Sequence, residues 1–129
     1  MHDRPYYSLM DRICRSNGWV LGQDKGLVVI GIPQQDGSQQ SVVVDEFQDT
    51  SGQFAIRLWS PVAPADRVPA DQALQVNAQL PHGALANREG QIVVAITRIW
   101  NATNQMDLTT IMSVIAYYAN FYAKHYGAA

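Results

Sequence analysis

The stretch Gln91 to Trp100, QIVVAITRIW, constrains this chain more than any other. It is the longest run of unbroken strand character. Side chains alternate across a strand, so Ile92, Val94 and Ile96 go to one face and Val93, Ala95 and Ile99 to the other. A strand that is apolar on both sides is covered on both sides. The expectation is a sheet strand with helices on one face and either a second subunit or a ligand on the other.

The punctuation of the remaining chain sets the elements around that strand. Pro5 to Asn17 reads as a helix, with Asp3 as its cap, Tyr6, Leu9, Met10 and Ile13 at helical spacing, and Gly18 as its stop. One strand is expected within Trp19 to Ile32, centred on Leu27 to Ile30, with Gly22 to Gly26 bending or interrupting it. Asp36-Gly37 signals a hairpin, Gln40 to Phe47 a second strand, and Asp49-Thr50-Ser51-Gly52 a second turn. In the third strand Phe54, Ile56 and Leu58 alternate with Ala55, Arg57 and Trp59. Pro61, Pro64 and Pro69 are expected to stop the meander. A second helix is predicted from about Pro69 to Leu80, with Ala73, Leu74, Asn77 and Leu80 on one stripe. A hairpin then pairs about Gly83–Asn87 with Gln91–Trp100 through Arg88-Glu89-Gly90. Asp107 is expected to cap a last helix, Leu108 to Tyr126. The fold class predicted is α+β, in the order α-β-β-β-α-β-β-α, with an antiparallel five-stranded sheet and helices packed on it in a single domain.

That order in about this length is similar to the type III secretion chaperone-like fold. Its second half resembles the YbjN-like proteins, through Leu58-Trp59-Ser60-Pro61-Val62, Ala73-Leu74-Gln75-Val76-Asn77, Gly83-Ala84-Leu85-Ala86, the Gln91–Trp100 strand, and Ala116, Ala119 and Tyr122 of the last helix. The resemblance covers roughly residues 55 to 126 by pattern, and the first half by element order alone. Secretion chaperones of that fold are small acidic homodimers that hold an unfolded effector segment on their surface. The resemblance therefore implies a dimeric binding protein without a catalytic constellation.

Composition narrows the function classes. The 129 residues are 47% hydrophobic and 16% charged, with a net charge of −2. Scattered basic residues and mild acidity argue against a nucleic-acid partner, which needs clustered Lys and Arg. No apolar run approaches the ~20 residues of a membrane span. MHDRPYY carries no apolar signal region, so a cytoplasmic protein is expected. The tripeptide Asn101-Ala102-Thr103 matches a glycosylation acceptor, which means nothing without secretion. The lone Cys14 falls on the apolar side of the first helix and reads as a buried, inert thiol. Nucleotide-loop, hydrolase-elbow and zinc motifs are missing. His2, His82 and His125 lie far apart in sequence, and a joint metal site for His82 and His125 would need the fold to unite them. Asp45, Glu46 and Asp49 cluster near a hairpin and read as solvated turn residues. No catalytic residue, metal or cofactor is expected.

Asn77 is the polar residue that stands out. It lies on the predicted buried side of a short helix, where an unpaired amide costs ~1–3 kcal/mol. The reading is structural: its side chain ties the helix to the Pro81-His82-Gly83 turn. The aromatic residues form the other feature. The last helix carries a stripe of Leu108, Ile111, Met112, Ile115, Ala119 and Tyr122, widened by Val114, Tyr117, Tyr118 and Phe121 well past an ordinary amphipathic face. Such surplus apolar surface is most simply used in a homodimer. Trp59, Trp100, Tyr117, Tyr118 and Phe121 are the predicted partner or dimer contacts. The functional expectation is a non-enzymatic chaperone-like or adaptor protein. It would hold a client polypeptide on the sheet face or along the edge of the Gly18–Ile32 strand. The alternative is a small-ligand regulatory domain with an apolar pocket between the sheet and the C-terminal helix.

Overall fold

Tyr6, Met10, Ile13 and Cys14 recur at helical spacing and form the buried side of α1 (Pro5–Asn17). The structure, a computed structural model, describes residues 5–100 and 104–127. The expected cap Asp3, the terminal His2 and the Asn101-Ala102-Thr103 tripeptide lie outside the described residues. Gly18 ends α1 at φ +71°, and the Trp19 N–H closes back on the Cys14 carbonyl at 3.0 Å. That bond is the C-terminal closure a left-handed glycine permits.

The segment read as one interrupted strand folds as two, β1 (Val20–Asp24) and β2 (Leu27–Pro33). Lys25 and Gly26 both sit at positive φ (53° and 81°) and make a two-residue hairpin turn. A lysine at the first turn position is a weak signal beside Asn-Gly or Asp-Gly, which is why the sequence reads as five strands where six form. The turns at Asp36-Gly37 and Asp49–Gly52 form as expected and flank β3 (Gln39–Gln48).

The next strand overturns an expectation. β4 (Phe54–Pro64) does not stop at Pro61 but runs through it. The ladder shifts register between Pro61 and Ala63, and this bulge accommodates a residue that cannot donate to the neighbouring strand. A buried polar cluster braces the same place. Gln40 Nε2 donates to the Pro61 carbonyl at 2.8 Å and to Ser60 Oγ at 2.9 Å, and Ser60 Oγ donates to the Ser41 carbonyl at 2.6 Å.

A single 3-10 turn, Ala65–Arg67, then leads to α2 (Ala70–Asn77), β5 (Ala84–Arg88), β6 (Gln91–Ile99) and α3 (Gln105–His125). α2 is shorter than predicted, and its Leu74 is 72% exposed rather than part of a buried stripe. The cap of α3 is Asn104, not Asp107. Asn104 Oδ1 accepts the Asp107 N–H at 2.8 Å, so the helix starts before Leu108. Asp107 pairs instead with Arg98 at 3.7 Å.

All strand pairs are antiparallel, in the order β1-β2-β3-β4-β6-β5. α3 crosses β3, β4 and β6, α1 lies against β1 and α3, and α2 lies against β5. The core forms on that helical side from Ile30, Val42, Val44, Ile56, Leu58 and Val94 with the inner stripes of α1 and α3. Among the described residues no helix is long and apolar enough to cross a membrane. Replacing Gln40 with Leu leaves the Pro61 carbonyl without its donor. We expect Gln40→Leu to lower stability by about 1–3 kcal/mol in urea unfolding; unchanged stability would show that the cluster does not hold the bulge.

Candidate functional site

The wide apolar girth of α3 divides in two. Leu108, Ile111, Met112, Ile115, Ala116 and Ala119 face the sheet and are fully buried. Tyr117 and Phe121, one turn apart, face outward and remain 55% and 52% exposed. They form a ridge beside a groove of about 480 Å³ between α3 and the β2–β3 hairpin, walled by Trp19, Ile32 and Pro33. Tyr117 meets Tyr118 edge-on at 5.1 Å, and Phe121 meets Tyr122 edge-on at 5.0 Å, so neighbouring rings steady the ridge. The Lys124 ammonium pairs with the Asp36 carboxylate and clips the end of α3 to the hairpin turn.

The two edges of the sheet differ. At β5, the Leu85 N–H donates to Asn77 Oδ1 at 2.6 Å, and Asn77 Nδ2 donates to the Leu85 carbonyl at 3.4 Å. The carboxamide thus occupies the outward backbone groups of Leu85, within the edge a further strand would use. Asn77 ties α2 to β5 rather than to the Pro81-His82-Gly83 turn, because Leu85 offers both a donor and an acceptor on the outer edge. At the opposite edge, β1 pairs with β2 on one side alone among the described residues. β1 has no proline and no bulge, the usual protections of an edge. Val20 at its start is 58% exposed. Trp19 and Val20 are consecutive, so groove and open edge meet.

The face of the sheet away from the helices carries Trp59, Val93, Ala95 and Phe47. Trp59 is nonetheless only 7% exposed. The Arg88 guanidinium lies over its ring at 3.8 Å, and Arg57 lies over the Phe47 ring at 4.3 Å. Sequence reading missed both pairs. Arg57 is legible as the alternate partner of Ala55 and Trp59, whereas Arg88 reads in the sequence as a turn residue and lies at the end of β5.

The predicted contact residues therefore occupy different places. Trp59 is on the open face, while Tyr117, Tyr118 and Phe121 belong to α3. Trp100 follows β6 and meets Phe54 edge-on at 6.1 Å. Burial, with the Asp11 charge adding to it, pushes the Cys14 thiol up to about 11, so it stays protonated at neutral pH. Asp49 accepts from the Ser51 hydroxyl and from the Ser51 and Gln53 N–H groups, and the Ser51 hydroxyl chiefly holds its carboxyl below the usual range. Asp45 accepts from the Glu46 N–H. His125 lies in a cleft with Tyr122, Tyr126 and three glutamines of the α2 region. Among the described residues no three His, Cys, Asp or Glu side chains gather as a metal site.

Truncating Asn77 removes both bonds to Leu85. Asn77→Ala is expected to cost about 1–3 kcal/mol and to speed hydrogen exchange at the Leu85 amide. Unchanged exchange there would show that the carboxamide does not seal the β5 edge. No protein-family model matches this chain, and no curated protein matches it with significance.

Proposed function

We propose that this chain is a non-enzymatic, chaperone-like or adaptor protein, YbjN-like in kind, which works as a homodimer and holds a segment of a partner polypeptide. The observation that carries this reading is the Tyr117–Phe121 ridge beside its own groove. A twofold interface needs a patch that complements itself, with projection and recess on the same surface. The ridge of one copy and the Trp19–Ile32–Pro33 groove of the other meet that requirement. Phe121 is already half-buried, so taking the rest of it out of water contributes about 1 kcal/mol.

The open edge of β1 then serves the client. An extended segment adds there as a further strand, gaining backbone hydrogen bonds, while at β5 the Leu85 groups are already taken by Asn77. The alternative of an apolar ligand between sheet and α3 has less support, because the inward side chains of α3 are already fully buried.

Light scattering tests the dimer. The wild type should show a concentration-independent mass near twice 14.3 kDa, and the double variant Tyr117→Ser/Phe121→Ser a mass near 14.3 kDa. A wild-type monomer at every concentration would refute it. Peptides selected on the dimer from a random library should slow hydrogen exchange across Val20–Asp24. Bound peptides that leave β1 unprotected would place the client elsewhere.

A further inference from the structure

Arg57 and Arg88 stand at a hollow of about 320 Å³ on the open face of the sheet. Trp59, Val93 and Ala95 line it on the apolar side. Neither guanidinium forms an ion pair among the described residues. Arg57 uses one donor, Nε, on Thr97 Oγ1 at 3.2 Å, and the Arg88 side chain makes no hydrogen bond among the described residues. A guanidinium has five N–H donors in its plane. Stacking on a ring occupies one face of that plane and leaves the N–H edges free. The aromatic rings therefore hold two cations in place with most of their donors unused. A fork fixed in advance loses less entropy when it meets a carboxylate, and the planar match allows two parallel bonds.

The surroundings narrow the ligand. Asp45 stands opposite Arg57 in the strand register and offsets part of its charge, so Arg88 is the main anchor. Two cations at one hollow make a compact site, too small for a nucleic-acid backbone track. Trp59 and Val93 are nearly buried, and the small side chains of Ala86 and Ala95 leave a shallow apolar floor that suits a flat unsaturated body.

We propose that this hollow binds a small planar carboxylate, an aromatic or conjugated acid, anchored bidentately by Arg88 with Arg57 as the second cation. The site lies on the sheet face opposite the helices and does not rest on the dimer or client reading.

The test is calorimetric titration of the full chain with sodium cinnamate, against cinnamyl alcohol as the neutral isostere and inorganic phosphate as the bare anion. Cinnamate should bind saturably, one per chain, with both controls much weaker. Arg88→Gln should weaken binding about tenfold or more, the scale of a lost charge-assisted pair, and Arg57→Gln should weaken it less. No saturable binding of cinnamate would overturn the proposal. So would equal binding of the alcohol or of phosphate, or an affinity unchanged in Arg88→Gln. Circular dichroism reports whether each variant is folded. Should Arg88→Gln fail to fold, the comparison of cinnamate with its alcohol on the wild type, together with Arg57→Gln, decides the question.

Discussion

The packing of α3 across the middle of the sheet is the interaction on which the rest depends. Leu108, Ile111, Met112, Ile115, Ala116 and Ala119 leave water completely, against a sheet face that contributes Ile56, Leu58 and Val94. Apolar burial is non-directional, so the stripe alone fixes only which side of α3 faces inward. The Asn104 cap, the Arg98–Asp107 pair and the Lys124–Asp36 clip fix where the helix begins, how it lies and where it ends. Once it is seated, its outer ridge necessarily overhangs the β2–β3 hairpin, and the groove follows from that overhang.

The sheet then has two faces and two edges, and each is treated differently. The helical face is closed by the core. The open face is shielded piecemeal, by guanidinium groups laid on rings, which cover apolar surface while keeping charge in water. One edge is sealed by a side-chain amide that stands in for a peptide group. At the other edge no further strand pairs with β1 among the described residues. The two edges therefore differ in their outward backbone groups, and the β1 edge adjoins the aromatic groove.

Local chemistry made much of this legible in the sequence. The α1 limits, the Asp36-Gly37 and Asp49–Gly52 turns, and the division of α3 into buried stripe and outer aromatics depend on neighbours in the chain. The α+β class and the antiparallel sheet follow from the same signals. What the sequence hid depends on distant partners. Pro61 lies inside a strand only because the pairing with β6 shifts register there and Gln40 supplies a donor from β3. Leu74 is exposed because α2 is short and lies against an edge. Asn77 was recognisable as an amide in need of partners, but Leu85 as that partner required the β5–α2 packing. The arginine–ring pairs required the register of four strands, β3 to β6.

Hydroxyl-radical footprinting with mass-spectrometric readout tests the central claim, that a second copy covers the α3 ridge in solution. Side chains are labelled in proportion to their exposure. The account predicts that Tyr117 and Phe121 are protected in concentrated samples while Leu74, also exposed in the single chain, is labelled throughout. Labelling of Tyr117 and Phe121 at the level of their single-chain exposure, at every concentration, would contradict it.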